Sequence, residues 1–282
     1  MGAETIGKLE FQALVRDDFL EPSTFQPTNL LREARRQRQL PPGHVPSCCV
    51  LDPDGDIVRY LRRSDRATRS PYWACYHTDL YETEVDGVRI GVVGCAVGAP
   101  FAVLVAEQLF VSGCELLISM TSAGQVAPDL PLPTLVLIDR AIRGEGTSLG
   151  YLPPANAVDA DPALVQTVTQ SLERSGIPFQ SGATWTTDSP YRETSSFLAS
   201  ARDTGALAVE MEASALYAFA QARQQPVICF AYITNQMATI EGDFEKGPED
   251  GAEFALRVAL ATALGWSSTA LLPDTERGHD DE

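Results

Sequence analysis

The sequence predicts one α/β domain in which a mostly parallel β-sheet is covered by helices. From Pro46 onward, short apolar runs rich in β-branched and aromatic residues alternate with longer helix-like segments, as in a parallel sheet. A chain of 282 residues is long enough to bury a full core. No Ser/Gly-rich or Pro-rich linker separates two apolar regions, so we expect a single domain.

The first residues look like an appendage to that domain. Within them, "TNLLREARRQRQL" predicts a helix that Thr28 caps and that stops at the Pro-Pro-Gly sequence beginning at Pro41. Its arginines fit a solvated helix face better than a nucleic-acid patch. The final residues, "PDTERGHDDE", are predicted to be a disordered acidic tail. We therefore divide the chain into an N-terminal helical extension, the α/β domain and an acidic tail, at residues 1–45, 46–268 and 269–282.

Eight apolar runs are predicted to be strands. They are "SCCVL", "YWACYHTDLYETEV", "VRIGVVGCA", "ELLISM", "TLVLIDRAI", "PFQSGATWT", "ALAVEM" and "VICFAYIT". The clearest helices are "APFAVLVAEQLFVSG", "PALVQTVTQSLERSG", "EASALYAFAQA" and "DGAEFALRVALATALGW". The first of these begins with Pro100 near its first turn, and the first two end in glycine, which is typical of helix boundaries.

The charge and the cysteines exclude several classes of protein. A formal net charge of −17 disfavours a nucleic-acid binder, because that affinity depends on Lys and Arg neutralising phosphates. We therefore expect a small-molecule partner, with no nucleic acid and no membrane. The six cysteines form no CxxC pair, so neither a metal site nor a disulfide framework is indicated, and we expect buried thiols. With no signal peptide and no apolar run near the roughly 20 residues of a membrane span, a cytoplasmic location is expected.

Ligands of open α/β sheets bind beyond the carboxyl ends of the strands, and five predicted strand exits are unusual in composition. They are "LDPDGD", "GCAVGAP", "SMTSAGQV", "TWTTDSPYRET" and "AVEMEAS". Tight turns also use Asp, Pro and Gly, so the first exit suits an ordinary turn, and the third could be one as well. In the second, glycines let backbone amides face a ligand at a helix N-terminus, although this spacing alone is a weak signal. The fourth offers many donors in one loop, which suits a polar planar ligand.

The fifth exit places two glutamates where an apolar strand meets an apolar helix. Glu212 falls in the first helical turn, where the helix dipole favours a carboxylate by about 0.3–1 kcal/mol. Glu210 ends a run that looks buried, and an unpaired buried carboxylate would cost several kcal/mol. Adjacent hydroxyls of a sugar are good partners for such a carboxylate, so this stretch indicates a sugar site.

The stretch "VEMEASALY" resembles the V-E-M-E-A signature of the hexameric-type nucleoside phosphorylases and the related nucleosidases. The resemblance continues in the family's order through "VDGVRIGVVGCAVGAP", "TSAGQV", "AIRGEGTSLGYLPP" and "TTDSPYRET", over residues 46 to 266. It implies a single α/β domain with a central mixed β-sheet flanked by helices. It also implies cleavage of an N-glycosidic bond through an oxocarbenium-like transition state, in homo-oligomers whose dimers share active sites and often build hexamers.

The resemblance also implies roles for individual residues. Glu212 would bind the ribose 2′- and 3′-hydroxyls, Met211 would pack on the sugar and Glu210 would support both. His77, which is otherwise an ordinary strand histidine, would reach the 5′ end of a sugar across the dimer interface. The residues expected to face the base are Thr186, Thr187, Asp188, Arg192 and Gln236.

The sequence departs from this family where phosphate would bind. The uridine-phosphorylase branch uses a G-D-P-D-R turn and two further arginines. At the glycine and the three arginine positions this chain has Leu51, Gly55, Tyr76 and Ser119. Losing three guanidiniums removes most of the affinity for a dianion. We therefore expect hydrolysis ahead of phosphorolysis.

"TSAG" resembles the G-S-A-G of the methylthioadenosine/S-adenosylhomocysteine nucleosidases, in which an acidic residue of the first loop activates water. This resemblance makes Asp52 and Asp54 the candidate general bases. The expected nucleophile pocket comprises Tyr76, Gly98, Ser119 and Ser122. Three alternatives stay open: phosphate contacts from Arg59, Arg143 or Arg192, turn-shaping aspartates, and a nucleoside-binding protein without turnover. No cofactor is expected, with inorganic phosphate as co-substrate if the reaction is phosphorolytic.

The last departure from the family pattern concerns the nucleobase that leaves. Purine-cleaving members of the family have an aspartate after the late strand, whereas "YITNQMA" has Asn235 there. An amide cannot donate a full proton but can hydrogen-bond a carbonyl or a ring nitrogen. We therefore expect Asn235 to act on a pyrimidine-like leaving group.

Overall fold

The computed structural model of this chain describes residue 19, residues 21–236, residues 241 and 243, and residues 245–270. Most of the predicted acidic tail and the first part of the N-terminal extension lie outside the described residues. The predicted domain boundaries therefore stay a prediction.

Seven α-helices and ten β-strands lie in the described residues. The helices are α1 (Pro27–Arg38), α2 (Asp56–Arg63), α3 (Ala99–Val111), α4 (Pro162–Arg174), α5 (Ser195–Asp203), α6 (Ala213–Arg223) and α7 (Ala252–Ala270). The strands are β1 (Cys48–Asp52), β2 (Thr68–Arg69), β3 (Tyr81–Val85), β4 (Val88–Gly94), β5 (Leu116–Gln125), β6 (Thr134–Gly144), β7 (Ala157–Asp159), β8 (Gln180–Thr187), β9 (Ala206–Glu210) and β10 (Val227–Asn235). Short 3-10 helices cover Thr147–Gly150, Pro190–Arg192 and Pro248–Gly251.

All ten strands form one mixed sheet, in the order β10-β6-β8-β9-β5-β1-β4-β3-β2, with β7 paired to β6. β10 also pairs with β5 and β9 pairs with β5, so β5, β10, β6, β8 and β9 close into a ring. Closure leaves these five strands without a free edge. The predicted fold class, a central mixed sheet flanked by helices, is confirmed.

The register of the sheet brings the ends of two oppositely directed groups of strands together. β1, β4, β5 and β10 run parallel to one another, and β6, β8 and β9 run in the other direction. The carboxyl ends of β5 and β9 overlap, because Gly124 pairs antiparallel with Val209. Residues far apart in the sequence therefore meet where these strands end.

Helices cover both faces of the sheet over two apolar cores. α3 and α6 pack together on one face, above buried residues such as Leu51, Leu117 and Val136. α2, α4 and α7 cover the other face, above Ile90, Ile118 and other apolar side chains. Alternate residues of a strand point to opposite faces, which explains why Leu117 and Ile118 belong to different cores.

α1 packs on the domain through Leu31 and Ala34, which are buried against Ala74. The guanidinium of Arg35 donates to the carbonyl of Tyr72 at 3.2 Å, and that of Arg38 donates to the carbonyl of Cys75 at 2.7 Å. The interpretation of these arginines as a solvated face is therefore wrong for Arg35 and Arg38.

Three predictions about local structure are corrected. The predicted strand over residues 72–85 is a strand only from Tyr81, because the α1 arginines bind two carbonyls of its first part. The exit "SMTSAGQV" is not a turn, because β5 continues to Gln125 through pairing with β9 and β10. α1 begins at Pro27 after Gln26, so Thr28 lies in its first turn and is not the cap.

The cysteine prediction holds for five thiols. Cys48, Cys49, Cys75, Cys114 and Cys229 are buried and free, whereas Cys95 is exposed. No helix in the described part of the chain is long and apolar enough to span a bilayer.

Tyr217 of α6 joins two strands across the core. It is 1% exposed, its hydroxyl donates to the carbonyl of Ile138 at 2.5 Å, and it accepts from the amide of Cys229 at 3.0 Å. A single buried hydroxyl thus satisfies polar groups of β6 and β10.

We predict that Tyr217→Phe lowers the free energy of unfolding by about 1–3 kcal/mol, because a buried carbonyl and a buried amide lose their partner. The matched control is Tyr191→Phe, since Tyr191 is 99% exposed and surface changes usually stay within about 0.5 kcal/mol. Urea denaturation of both variants measures the difference. Equal stability of the two variants would contradict the bridging role of Tyr217.

Candidate active site

Asp54 and Ser122 meet in a cavity at the edge of the sheet. Asp54 lies in the turn after β1, and its Oδ2 accepts a hydrogen bond from the amide of Ser122 at 2.9 Å. The cavity has a volume of about 30 Å³, and Asp52, Asp56 and Lys246 also line it. The Asp54 side chain is 30% exposed, so water reaches this carboxylate.

Asp52, the other predicted base, has a different environment. Its Oδ1 accepts from the amide of Gly55 at 3.1 Å and its Oδ2 accepts from the amide of Val58 at 3.0 Å. Asp52 is 2% exposed, and burial raises its pKa to about 7. Both oxygens therefore hold the turn that leads into α2, and the geometry favours Asp54 over Asp52 as a base.

Gly55 stands where the resemblance to the family places the first phosphate arginine. Its φ is +77°, a conformation that glycine adopts readily and other residues rarely do. A Cβ at this position would lie 2.6 Å from Sγ of Cys95 and 2.9 Å from Nη1 of Arg59. A side chain here would therefore require a strained backbone and a shift of Cys95 and Arg59.

Lys246 is a residue of this cavity that the sequence analysis did not select. Its Nζ lies 3.3 Å from Oδ2 of Asp54 and 2.6 Å from Oδ2 of Asp56. One signal could have found it, since Lys246 is one of only two lysines in the chain. Its position beside the first loop comes from the fold, because about 190 residues separate it from Asp56.

The carboxylate of Glu210 is held by four donors. Oε1 accepts from the hydroxyls of Thr184 and Thr186, at 3.1 and 2.5 Å. Oε2 accepts from the amides of Glu212 and Ala213, each at 2.7 Å. Burial raises the pKa of Glu210, while these four hydrogen bonds favour its charged form. Glu210 therefore anchors the start of α6 to β8, consistent with a supporting role.

Glu212 lies directly before α6 and is 1% exposed. Its Oε1 accepts from the amide of Gly98, the residue before α3, at 2.7 Å, and its Oε2 accepts from the amide of Met211 at 3.3 Å. Burial raises its pKa to about 8, and the nearby charges of Glu210 and Asp54 contribute. Burial therefore disfavours the charged form of Glu212, while the two amide hydrogen bonds favour it.

The predicted base-facing residues have the following contacts. Thr186 is buried, and its hydroxyl donates to Glu210 and accepts from the amide of Ser214 at 2.9 Å. Asp188 accepts from the amide of Gly146 at 2.9 Å, which joins the loops after β8 and β6. Thr186 and Asp188 thus hold the loops in place, and their contact with a base stays a prediction.

Thr187, Arg192 and Gln236 complete that predicted set. The hydroxyl of Thr187 accepts from the amide of Ser189 at 3.1 Å. Arg192 is exposed at the end of a 3-10 helix, and the amide of Gln236 donates to Asp243 at 2.8 Å. Arg192 and Gln236 lie in loops after β8 and β10, where a base could be contacted.

Asn235 ends β10 in a buried position beside the irregular pairing with Gly124. Its Nδ2 donates to the carbonyl of Ala123 at 3.5 Å. This places the amide beside the strand that carries Ser122. Its predicted role at the leaving group stays a prediction.

The remaining members of the predicted nucleophile pocket lie apart from the Asp54 cavity, because none of them lines it. Tyr76 donates to Gln37 of α1 at 2.7 Å, and Ser119 is buried inside β5 opposite Cys229. Gly98 contacts Glu212 instead. His77, predicted for the sugar, packs edge-on to Phe101 with ring centroids 6.4 Å apart.

Two of the arginines considered for phosphate are committed to other contacts. Arg143 donates to the hydroxyl of Ser148 at 2.8 Å and to the carbonyls of Pro153 and Leu152 at 2.6 and 3.3 Å. Arg59 donates to the carbonyl of Asp54 at 2.8 Å and forms an ion pair with Asp56. Neither guanidinium is available in this arrangement to replace a missing phosphate ligand.

The site thus combines an exposed carboxylate, a buried carboxyl pair and loops rich in donors. Such groups can position a sugar and accept a proton from water. Among the described residues, no group of three or more His, Cys, Asp or Glu side chains is arranged to hold a metal ion.

The sequence and the fold were compared with known proteins. The family model described as the phosphorylase superfamily matches residues 48–265. A DeoD-type purine nucleoside phosphorylase of Exiguobacterium sp. is 27% identical over 183 residues, which are 63% of this chain and 76% of that protein. A uridine phosphorylase of Thermococcus kodakarensis is 28% identical over 149 residues, which are 49% of this chain and 53% of that protein.

The fold is similar to that of an AMP nucleosidase from Bacteroides thetaiotaomicron. The TM-score is 0.65, and the match covers 80% of this chain and 91% of that chain at 18% identity. At such low identity the match supports the fold alone.

We predict that this protein loses stability as the pH rises from about 5 to about 8. Burial raises the pKa values of Glu212 and Asp52 to about 8 and about 7, so the folded state binds more protons than the unfolded state across this range. Stability then falls with pH by up to about 1.4 kcal/mol per pH unit for each such group. Thermal unfolding measured at several pH values tests this.

Glu212→Gln should reduce that slope, because glutamine does not titrate, whereas Glu173→Gln at an exposed position should not. An identical pH dependence in wild type and Glu212→Gln would contradict the proposed protonation of Glu212.

Proposed function

The chain belongs to the phosphorylase superfamily, and on that premise we propose that it cleaves the N-glycosidic bond of a nucleoside with water as the nucleophile. One observation carries the choice of water. The amide of Ser122 is hydrogen-bonded to the carboxylate of Asp54, in a cavity of about 30 Å³. One water needs about 10–15 Å³, whereas phosphate would first have to displace Asp54 from that amide.

Glu212 is the proposed ligand of the ribose 2′- and 3′-hydroxyls, with Met211 packed on the sugar. Hydrogen bonds to a charged group contribute about 1.5–3 kcal/mol each, so a carboxylate gripping a diol fixes the anomeric carbon. Glu210 supports this arrangement because its four hydrogen bonds fix the backbone from which Glu212 projects. Binding of the diol favours the ionised form of Glu212.

In the proposed reaction, the oxygen of a water molecule forms a bond to the anomeric carbon and its proton passes to Asp54. The electron pair of the N-glycosidic bond leaves with the base, which takes up a proton from solvent. The products are a free sugar and a free base. The negative charges of Asp54 and Glu212 stabilise the positive charge that develops on the sugar ring.

For the leaving group we propose a pyrimidine-like base. Asn235 offers an amide and no acidic proton, and an amide suits a carbonyl or ring nitrogen that gains negative charge. Thr187, Arg192 and Gln236 lie in the loops that end β8 and β10 and are the proposed further donors.

Phosphorolysis is the second candidate, and the names of the relatives favour it. The two curated relatives described above are a purine nucleoside phosphorylase and a uridine phosphorylase. If Asp54 turned away, the amide of Ser122 and the ammonium of Lys246 would be donors for inorganic phosphate as co-substrate.

We also propose that the protein works as a cytoplasmic homo-oligomer. An exposed apolar row on and before α3, formed by Val97, Leu104 and Val111, supports a contact with another copy of the chain. The six free thiols support a reducing compartment.

We predict that a nucleoside panel incubated without phosphate releases free base and free sugar, with pyrimidine nucleosides cleaved fastest. Adding 10-fold more phosphate than nucleoside should change the rate less than about twofold, because water is the nucleophile. Chromatography of the base and a reducing-sugar assay measure the products. Strictly phosphate-dependent formation of sugar 1-phosphate would establish the second candidate, and binding without turnover would overturn both.

We predict that Asp54→Asn lowers kcat for hydrolysis at least about 100-fold, because general bases contribute roughly 10²–10⁴-fold. The control Asp65→Asn changes an exposed aspartate beyond the end of α2 and should leave kcat within about twofold. Steady-state kinetics of both variants provide the comparison. Unchanged hydrolysis in Asp54→Asn would remove Asp54 from the reaction.

A further inference from the structure

Lys246 lies between Asp54, in the turn after β1, and Asp56, in the first turn of α2. Its ammonium is 3.3 Å from Oδ2 of Asp54 and 2.6 Å from Oδ2 of Asp56, and its side chain is only 16% exposed. Exposed ion pairs contribute little because water screens them, but this ammonium is largely desolvated. The charges of Asp54 and Asp56 keep the lysine charged and raise its pKa, although burial opposes this.

The two oxygens of Asp54 differ in their contacts. Oδ2 accepts from the amide of Ser122 at 2.9 Å and forms an ion pair with Nζ of Lys246 at 3.3 Å. Among the described residues, no hydrogen bond reaches Oδ1. One oxygen is therefore held by a hydrogen bond and an ion pair, while the other stays open to a proton.

We propose that Lys246 is a positioning residue that holds Asp54 in the orientation needed to activate water. The inference rests on the proposed function, in which Asp54 is the base. Without the ammonium, a single amide would hold Asp54, and the terminal torsion of an aspartate is broad. The neighbouring charges of Asp52 and Asp56 would then repel Asp54 with no cation between them.

A lysine suits this position better than an arginine. An ammonium is a compact charge with three donors and can reach carboxylates on two different elements, whereas a guanidinium is a planar fork that matches one carboxylate. Lys246 accordingly joins the turn after β1 and the first turn of α2.

If Lys246 only attached its segment to the domain, loss of another such attachment should lower kcat equally. Arg63 offers this matched control. Arg63 of α2 forms an ion pair with Glu249, in the same segment that carries Lys246. Both cations attach that segment to the domain, but only Lys246 contacts Asp54. Arg63→Met therefore removes one such attachment without touching the proposed base.

The experiment compares the steady-state hydrolysis kinetics of Lys246→Met, Lys246→Arg and Arg63→Met. We expect Lys246→Met to lower kcat at least tenfold with KM for the nucleoside within twofold. Lys246→Arg should recover part of kcat, and Arg63→Met should resemble wild type. Equal losses in Lys246→Met and Arg63→Met would overturn the proposal, as would a change in KM alone.

Rescue with formate gives an independent readout of positioning. Asp54→Ala should regain hydrolysis when sodium formate is added, because the amide of Ser122 and the ammonium of Lys246 can hold the small carboxylate. In the double variant Asp54→Ala/Lys246→Met, formate should restore at least tenfold less hydrolysis than in Asp54→Ala. Equal rescue of the two variants would overturn the role of Lys246.

A last measurement separates failure of this proposal from failure of the proposed function. If the wild-type protein cleaves no nucleoside, the proposed function fails, and thermal unfolding then tests the pair itself. The changes in Tm of Asp54→Asn and Lys246→Met should be less than additive in the double variant. Strictly additive changes would show that Lys246 does not hold Asp54.

Discussion

The carboxylate of Glu210 is the group on which the geometry of the site depends. A buried charge is tolerated only when its lone pairs are satisfied, and here four donors from β8 and the start of α6 satisfy them. The same bonds fix the backbone of Glu212, which in turn accepts the amide of Gly98 before α3. Two helices that pack on the same face of the sheet therefore begin at one pair of glutamates. This arrangement has an electrostatic cost, since burial and the charge of Glu210 raise the pKa of Glu212 to about 8.

The turn between β1 and α2 is stabilised by charged side chains of the protein itself. Asp52 closes the turn, Gly55 adopts a positive φ that disfavours other residues, and Asp54 occupies the amide of Ser122. An external anion would meet these negative groups, and Lys246 is already shared between two of them. The turn after β1 is thus stabilised by groups of the chain itself, with glycine at position 55.

Much of the fold could be predicted from periodicity, and some of the site from local chemistry. Alternating strands and helices predicted the α/β class, and "VEMEAS" identified the glutamates because charges rarely occur in apolar runs. The choice between Asp52 and Asp54 could not be made, since both follow the same strand and only their hydrogen bonds differ. The strand pattern of residues 72–80 is misleading, because carbonyls of this loop bind arginines of α1 instead of a neighbouring strand. This contact joins distant segments and has no local sequence signal.

The sequence by itself determined the architecture and the position of the glutamate pair. These features depend on neighbours within a few residues or on the order of motifs along the chain. Only the tertiary structure decided that Lys246 faces Asp54, that Arg143 is committed to the loop after β6, and that Thr186 supports Glu210. The physical reason is that hydrogen bonds and ion pairs depend on distances of about 3 Å, which sequence separation does not determine.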